Sequence, residues 1–247
     1  MYITSETVIA RQPITTAIKL FADGANLDDM LRIYTAGEAD GFTTNPTLLR
    51  KAGVTDFAAF ARTVLAHITD LPISFEVFSD EFAEMEVQAR RLASWGRNVY
   101  VKIPITNTAG QSSVPLIRTL SRDGIKVNAT AIMTLRQVAQ TLEVLADDVP
   151  AVVSIFAGRI ADTGRDPVPV MSAAVAMAAS KPAAEILWAS PREVFNIHQA
   201  QACGCHIITA TPDILKKLSM AGMDLDRLSQ DTVRMFRQDV LAAGYQL

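Results

Sequence analysis

A single lysine, Lys102, interrupts the run of β-forming residues Asn98–Pro104. Burial in an apolar strand strips the hydration from an ammonium group, so such a site must favour the neutral amine or supply a partner. A neutral lysine amine can attack a carbonyl carbon and form a Schiff base. The alternative is an exposed edge strand, where a lysine discourages aggregation. The strand alone leaves both interpretations open.

Polar residues recur at a fixed interval around this lysine. Four of them are separated from one another by 26 residues: Glu76, Lys102, Asn128 and Ser154. This spacing fits one polar residue at the same height in four successive strand–helix units. Other polar residues that end or follow predicted strands are Asp23, Asn45, Thr130, Ser190 and Arg192. Asn45 and Ser190 each precede a proline and alone would indicate a helix start, but capping does not explain a recurrence over so many strands.

The types of these side chains are those that Schiff-base chemistry on a sugar requires. Such an enzyme needs an acid–base group to dehydrate the carbinolamine, and Asp23 and Glu76 provide carboxyl groups. The amide and hydroxyl groups that suit sugar hydroxyls belong to Asn45, Asn128, Thr130 and Ser154. Residues two apart on a strand share a face, so Ser154 points with Phe156. We expect these groups to converge on Lys102.

Two arginines are candidates for binding an anion. Arg159 and Arg192 follow the sixth and seventh predicted strands, close to where barrels often hold a phosphate. A guanidinium group pairs with phosphate through two parallel hydrogen bonds. The alternative for each arginine is a surface ion pair. A sulfonate is also a tetrahedral anion, so the sequence does not distinguish the two head groups.

The elements that must position these residues alternate regularly along the chain. Short apolar segments predict strands at Lys19–Asp23, Gly41–Asn45, Ile73–Val77, Val99–Pro104, Lys126–Ala131, Ala151–Phe156, Glu185–Ser190 and His206–Thr211. Helical periodicity is clearest at Asp80–Trp95, Thr134–Ala146, Val168–Ser180 and Arg192–Ala202. Eight such repeats without a linker predict a single α/β domain with the (β/α)8 TIM-barrel fold, at about residues 19–220. In this fold the chemistry lies at the C-terminal ends of the strands.

Two segments lie outside this repeat. Met1–Ile18 precedes the first strand and is predicted to be an extension or cap. After a short helix at Asp213–Ser219, the residues Leu228–Ala243 predict an amphipathic C-terminal helix. Its apolar face is expected either to fold back on the barrel or to contact a neighbouring subunit. We predict the second arrangement, a homo-oligomer.

The composition excludes several other classes of protein. The 247 residues are 49% hydrophobic, with a formal net charge of −3 and a mean hydropathy of +0.20. This charge gives no basic surface for nucleic acid. No apolar run is long enough for a membrane span, and Met1–Ala17 lacks the pattern of a secretory signal. We therefore expect a soluble cytoplasmic protein without nucleic-acid or membrane partners.

Neither a metal nor a cofactor is predicted. The histidines His67, His198 and His206 are scattered, and none has a metal-site spacing with carboxylates. The two cysteines, Cys203 and Cys205, are too few for a disulfide framework. A bridge between residues only two apart is also geometrically unfavourable.

Six short motifs resemble the transaldolase family, close to its short-chain branch with the fructose-6-phosphate aldolases. They are Phe21-Ala22-Asp23, Thr43-Thr44-Asn45-Pro46-Thr47, Val101-Lys102-Ile103-Pro104, Asn128-Ala129-Thr130, Ser154-Ile155-Phe156-Ala157-Gly158-Arg159-Ile160 and Ala189-Ser190-Pro191-Arg192. The Thr-Thr-Asn-Pro turn and the Val-Lys-Ile-Pro strand are specific in combination. The resemblance implies a (β/α)8 barrel, cofactor-free chemistry on the sugar phosphates of the pentose phosphate pathway, and assembly into pentamers or decamers through the C-terminal tail.

The resemblance also implies a role for each candidate residue. Lys102 would carry the Schiff base, and Asp23 would move protons at the C3–C4 bond being broken. Glu76 and Thr130 would hold the water used in forming and resolving the imine. The dihydroxyacetone hydroxyls would be bound by Asn45, Asn128 and Ser154. The phosphate of the acceptor would be bound by Arg159, Ser190 and Arg192.

Two positions favour a transferase over a free aldolase. The aldolase branch tends to have Gln at the position of Glu76 and Tyr at that of Phe156, whereas transaldolases have Glu and Phe. Three residues depart from the family pattern, namely Gly24, Ile155 and Pro191. Pro191 lies beside the proposed phosphate site and leaves the identity of the acceptor open.

The prediction is therefore a class I transaldolase. It would move a dihydroxyacetone unit from a ketose phosphate, such as fructose 6-phosphate or sedoheptulose 7-phosphate, to an aldose phosphate. The alternatives are a free aldolase that releases dihydroxyacetone, a transaldolase for a sulfonated or other anionic sugar, and a catalytically silent sugar-phosphate-binding protein.

Overall fold

Eight short parallel strands close into a barrel in chain order, with the eighth strand pairing with the first. The computed structural model describes residues 18–246. The strands are β1 Lys19–Asp23, β2 Gly41–Thr43, β3 Ile73–Glu76, β4 Val99–Pro104, β5 Val127–Ile132, β6 Ala151–Ile155, β7 Ala184–Trp188 and β8 Ile207–Ala210. The predicted (β/α)8 TIM-barrel fold is confirmed. Apart from Ile18, the predicted extension Met1–Ile18 lies outside the described residues.

Helices connect the strands. They are α1 Leu27–Thr35, α2 Pro46–Lys51, α3 Phe57–His67, α4 Phe82–Ala93, α5 Val114–Arg122, α6 Leu135–Val144, α7 Ala157–Asp162, α8 Val168–Ala178, α9 Phe195–Ala202 and α10 Pro212–Lys217. Side-chain caps begin several of them: Thr134, for example, forms a reciprocal capping box with Gln137 at the start of α6. No helix within residues 18–246 has the length and apolar content needed to cross a membrane.

The strands are apolar because they are buried on both faces, inside the barrel and under the helices. All five residues of β6 are buried, as are Trp188 on β7 and Phe42 on β2, which are both fully inaccessible. Against this background Lys102 on β4 is only 6% exposed. The interpretation of Lys102 as an exposed edge-strand residue is therefore wrong, since a closed barrel has no edge.

Two predicted strands end two residues earlier in the structure than in the sequence analysis. β2 stops at Thr43 because Asn45 is the N-cap of α2, and its Oδ1 accepts a hydrogen bond from the Leu48 amide at 3.0 Å. β7 stops at Trp188, and Ser190 adopts a positive φ of 59°. Both differences arise where the chain turns from a strand into the connection that follows it.

The described residues from Lys216 onward belong to a second compact unit. It contains a 3₁₀ turn, Leu218–Met220, and the helix α11, Leu225–Ala243. The predicted C-terminal helix is present and begins three residues before the predicted start, because Asp224 caps it by accepting a hydrogen bond from the Arg227 amide. None of the residues of α11 is buried, and its exposed apolar side chains include Leu225, Val233, Met235, Phe236 and Leu241.

Candidate active site

Lys102 lies at the base of a cavity at the C-terminal end of the barrel. This cavity has a volume of about 460 Å³, and its walls include Asp23, Glu76 and Lys102. The Lys102 amine donates a hydrogen bond to the Thr44 carbonyl oxygen at 2.8 Å and lies 3.1 Å from Glu76 Oε2. The buried lysine therefore has a carboxylate and a carbonyl beside its nitrogen, and space for a ligand above it.

The strand register explains why these groups meet. Glu76 on β3 and Lys102 on β4 are register partners, and Lys102 is in turn the partner of Asn128 on β5. On β6 the partner of Asn128 is Val152, so Ser154 lies two residues further along the same face. The 26-residue spacing thus makes Glu76, Lys102 and Asn128 direct neighbours on three adjacent strands. Ser154 lies two residues further along the fourth strand.

Asp23 ends β1 on another side of the same cavity. Thr43 Oγ1 donates a hydrogen bond to Asp23 Oδ1 at 2.8 Å, and Thr209 Oγ1 lies 2.5 Å from Thr43 Oγ1. Desolvation raises the pKa of Asp23 above its usual value, although the positive charge of Lys102 and the Thr43 hydroxyl both oppose the rise. A carboxyl group with a raised pKa is suited to hold and release a proton near neutral pH.

Thr130 places a hydroxyl group in the wall of the cavity. It is 2% exposed, and its Oγ1 has no hydrogen-bond partner within the described part of the chain. Ser113 Oγ and Trp188 Nε1 are the other buried side-chain atoms without a partner in the described chain, and of the three residues only Thr130 lines this cavity. The next residue, Ala131, adopts φ of 60° at an irregularity of the β5–β6 register. This distortion occurs at the residue that follows Thr130, where the strand opens toward the cavity.

The three residues predicted to bind sugar hydroxyls are placed differently. Asn45 and Ser154 line the cavity. Asn128 is fully buried and is not among the lining residues of the described chain. Its side-chain amide donates to Ser74 Oγ at 3.0 Å, and its Oδ1 accepts from Ser154 Oγ at 2.6 Å. In this arrangement Asn128 orients the Ser154 hydroxyl from behind.

The two arginines are also in different environments. Arg159 on α7 lines the cavity, and its guanidinium lies 5.4 Å from the centre of the Phe156 ring. Arg192 does not line it, at least among the described residues, and instead donates two hydrogen bonds to the Asp162 carboxylate. This ion pair lowers the pKa of Asp162. Arg159 therefore lies at the cavity, as expected for an anion-binding residue. Arg192 instead forms a surface ion pair, which was the alternative interpretation for each arginine.

The backbone of Ser190 passes very close to Gly158 at the start of α7, the helix that contains Arg159. A Cβ atom built on Gly158 would lie 1.6 Å from the Ser190 carbonyl oxygen. Any side chain at position 158 would therefore push the start of α7 away from the loop after β7.

Comparisons with known proteins show the family of the chain. A family profile described as Transaldolase/Fructose-6-phosphate aldolase matches residues 20–246. The chain is 32% identical, over 93% of its length and 100% of the relative's, to a probable transaldolase of Thermoanaerobacter sp. (strain X514). It is 34% identical, over 81% of its length and 88% of the relative's, to probable transaldolase 2 of Listeria monocytogenes. The chain belongs to the transaldolase family.

A solved structure supports the same fold. KGPDC from Streptococcus mutans superposes with a TM-score of 0.55 over 83% of this chain and 92% of its own, at 13% identity. A likeness at this level of identity concerns the barrel architecture alone.

Sequence reasoning missed several residues of this transaldolase-family site. Thr43 and Thr209 line the cavity: Thr43 donates to Asp23, and Thr209 is hydrogen-bonded to Thr43. Ser74 accepts a hydrogen bond from the Asn128 amide. Thr209 is a polar residue inside an apolar strand, the same signal that identified Lys102, and extending that argument to β8 would have found it. The Thr44 carbonyl carries no sequence signal, because its position depends on the backbone of the turn.

No metal-binding cluster accompanies these residues. Between Ile18 and Gln246, no three His, Cys, Asp or Glu side chains group closely enough to hold a metal ion.

Proposed function

We propose that this member of the transaldolase family is a class I transaldolase that works through a Schiff base on Lys102. It would transfer a dihydroxyacetone unit from a ketose phosphate, such as fructose 6-phosphate or sedoheptulose 7-phosphate, to an aldose phosphate. The observation that carries the proposal is the buried Lys102 amine, 3.1 Å from Glu76 in a cavity that Asp23 also lines. An amine and two carboxyl groups are the set that imine formation and carbon–carbon cleavage require.

The first half of the reaction forms the imine. Glu76 is close enough to take a proton from the Lys102 ammonium, and the free amine then attacks the C2 carbonyl of the ketose. The resulting carbinolamine loses water with proton transfer from Glu76. The Thr130 hydroxyl, which lacks a partner among the described residues, would bind that water.

The second half breaks and remakes a carbon–carbon bond. Asp23 accepts the proton of the C4 hydroxyl as the C3–C4 bond breaks, and the aldose leaves while the three-carbon unit stays on Lys102 as an enamine. The acceptor aldehyde then adds to the enamine carbon, and Asp23 returns the proton to the new hydroxyl group. The raised pKa of Asp23 makes it able to carry this proton between the two steps.

Binding is divided between the two sides of the cavity. The hydroxyl groups of the three-carbon unit would be bound by Asn45 and Ser154, with Asn128 orienting Ser154. The phosphate would be bound by Arg159 and Ser190, and by Arg192 if it leaves Asp162. A sulfonate group would fit the same donors. Assays with phosphorylated and sulfonated substrates are therefore needed to distinguish the two head groups.

A free aldolase is the second candidate, because the family description names both activities. Glu76 and Phe156 are the residues that favour the transferase. A sugar-phosphate-binding protein without activity is the third, since a fold does not guarantee catalysis. Against it, Lys102, Glu76 and Asp23 are all retained in one cavity.

The deciding experiment is reduction with borohydride in the presence of fructose 6-phosphate, followed by mass spectrometry. A three-carbon adduct on Lys102 is expected, and the Lys102→Met variant is the control. No adduct would favour the binding protein. Turnover with and without an added aldose phosphate then separates the enzymes: strict dependence on the acceptor means a transaldolase, whereas release of dihydroxyacetone at a similar rate means an aldolase.

The proposal extends to the state of the protein in the cell. Exposed apolar residues along α11 support a homo-oligomer, a pentamer or decamer, and light scattering that gives a monomer with and without residues 225–246 would reject it. The two free cysteines fit a reducing compartment, and we place the protein in the cytoplasm. The chemistry needs no cofactor and no partner other than its sugar substrates.

A further inference from the structure

The two cysteines lie together at the N-terminal end of β8, away from the active site. Cys203 is the C-cap of α9, and Cys205 lies two residues before β8 begins. Their sulfur atoms are 3.5 Å apart, and both thiols are free. The proposed catalysis uses the C-terminal ends of the strands and gives no role to this pair.

The end of α9 brings the two sulfur atoms together. The Cys205 amide donates to the Ala200 carbonyl, and the Gly204 amide donates to the Gln201 carbonyl, both at 3.0 Å. These two bonds form a Schellman motif, which requires the left-handed conformation that Gly204 adopts at φ of 76°. The chain therefore turns sharply between the cysteines. The sequence-based expectation of an unfavourable bridge takes no account of this turn.

The two thiols differ in exposure and in acidity. Cys203 is partly exposed, whereas Cys205 is only 5% exposed. A hydrogen bond from the Cys205 thiol is the main cause that lowers the pKa of Cys203 to about 7, and the same bond raises the pKa of Cys205. The thiolate is the reactive form of cysteine, so Cys203 is the better nucleophile at neutral pH. An accessible, acidic thiol beside a second thiol is typical of redox-active pairs.

We propose that Cys203 and Cys205 form a reversible redox site that reacts with hydroperoxides. The Cys203 thiolate attacks the terminal oxygen of the hydroperoxide, which breaks the O–O bond, releases an alcohol after protonation and leaves a sulfenic acid. The Cys205 thiol then attacks the Cys203 sulfur, so that an S–S bond forms and water leaves. Two thiols and one hydroperoxide thus give one disulfide, one alcohol and one water.

The ring closed by this disulfide is small, which makes the bond easy to reduce. Disulfides that depart from relaxed geometry store strain and have more oxidising potentials. The pair is therefore expected to be dithiol under reducing conditions and to oxidise only on exposure to the hydroperoxide. A cellular dithiol would restore both thiols by exchange.

The test uses the full-length native protein and hydrogen peroxide, with dimedone present to trap sulfenic acid. The chain has only two cysteines, so a thiol titration reads this pair alone. We expect both thiols to disappear and the tryptic peptide of residues 193–216, which contains both cysteines and no methionine, to lose the mass of two hydrogen atoms. Dithiothreitol should reverse both changes. A peptide that gains oxygen or dimedone without this loss, cross-linked chains, or thiols that do not react would overturn the proposal.

Three variants assign the roles. Cys205→Ser removes the second thiol, so Cys203 should accumulate as the dimedone adduct. Cys203→Ser leaves only the buried thiol, and its oxidation should be at least tenfold slower. Gly204→Ala disfavours the left-handed turn and should slow closure of the disulfide relative to formation of the adduct, with circular dichroism to verify the fold. These measurements use no sugar substrate, so their results test the redox proposal independently of the proposed transaldolase activity.

Discussion

Each end of the barrel has a lysine paired with a glutamate, but the two lysines differ in their exposure to solvent. At the N-terminal end, the Lys19 side chain is 54% exposed and pairs with Glu185 at 2.8 Å. At the C-terminal end, the Lys102 side chain is 7% exposed and pairs with Glu76 at 3.1 Å. Removing one partner of the exposed pair should cost about 0–1 kcal/mol, whereas removing one partner of the buried pair should cost about 3–5 kcal/mol, because it leaves an uncompensated buried charge. Exposure, and not distance, decides what each lysine contributes.

Cavity size does not distinguish the two ends. A depression of about 540 Å³ at the N-terminal end includes Lys19, Tyr100 and His206 in its wall and is slightly larger than the active-site cavity of about 460 Å³. Two cations in its wall already have partners: Lys19 pairs with Glu185, and Lys181 pairs with Asp147 and donates to the Leu145 carbonyl. The catalytic end is distinguished instead by a buried charged pair, Lys102 and Glu76, in the wall of its cavity.

Backbone strain is also confined to the catalytic end. Within residues 18–246, the non-glycine residues with positive φ are Ala131 and Ser190, and both line the active-site cavity. Such conformations cost about 1–3 kcal/mol each and persist where the surroundings impose them. The comparison indicates that the N-terminal end is built for stability and the C-terminal end for binding.

The largest effect that tests this contrast comes from removing one lysine at each end. Lys102→Met should lower kcat/KM by a factor on the order of 10⁴ to 10⁶, because the nucleophile is lost. Lys19→Met removes a lysine of the same size from an exposed pair and should leave kcat/KM within about twofold. Steady-state transfer assays on both variants check this. Equal losses would mean that the lysines act through the fold.

The second prediction separates activity from stability at Asp23. Asp23→Asn should lower kcat by about 10²- to 10⁴-fold, since the proton carrier is removed. The raised pKa means that the native state binds this proton more tightly than the unfolded state. The stability that Asp23 contributes is therefore greatest in acid and falls as the pH rises above 3.8, the value of the unperturbed group.

At neutral pH the Asp23→Asn variant should consequently be more stable than the native protein, because it no longer buries that charge. At pH 3 the two should converge. Thermal unfolding at both pH values measures the difference. A variant that is less stable at pH 7 would show that the attraction between Asp23 and Lys102 exceeds the desolvation cost, contrary to this interpretation.

The charged residues of the catalytic end were identified from the sequence, but the neighbours that their surrounding side chains contact were not predicted. Lys102 was identified because a charged residue in an apolar strand is costly, whereas Asp23 and Glu76 were identified from their positions at the ends of predicted strands; neither argument needs coordinates. The positions of Arg192 and Asn128 could not be predicted, because they depend on which neighbour takes the side chain: Asp162 for the arginine, and Ser154 for the amide. Strand identity follows from local pattern, whereas pairing between side chains depends on loops and strand register.

The predicted ends of the strands differ in accuracy for a similar reason. β4 was predicted to the residue, since Lys102 and the closing Pro104 lie within a continuous β-forming run. Asn45 and the left-handed Ser190 were assigned to strands although each precedes a proline, which is a signal for a helix start. Those positions are in the active-site wall, where local propensity and final structure are expected to disagree.

The third prediction concerns the two arginines of the catalytic end. Arg159→Ala should raise KM for a phosphorylated acceptor by about 10- to 100-fold, the range for losing a charge-assisted hydrogen-bonded pair, and should change KM for glyceraldehyde little. Arg192→Ala should have a smaller effect, because Asp162 already engages that guanidinium. Asp162→Asn is the matched variant: it frees Arg192 and should lower KM for the phosphorylated acceptor. Equal changes on charged and uncharged acceptors would mean that these residues are structural.

The fourth prediction tests whether the hydroxyl groups at the catalytic end hold the Asp23 carboxyl group in place. Thr43 donates to Asp23 and is itself in contact with Thr209, so Thr43→Val removes the hydrogen bond while keeping the shape of the side chain. Loss of a hydrogen bond to a charged group costs about 1.5–3 kcal/mol, which predicts a fall in kcat of roughly 10- to 100-fold.

Thr209→Val removes only the outer hydroxyl and should lower kcat less than Thr43→Val, with KM nearly unchanged in both variants. Because the Thr43 hydroxyl lowers the pKa of Asp23, its loss should also move the acidic limb of the kcat–pH profile to higher pH. A purely structural role would lower the amount of folded enzyme without moving that limb. The pH profile of Thr43→Val, with Thr63→Val on the exposed face of α3 as the control, therefore decides whether the two threonines position the proton carrier.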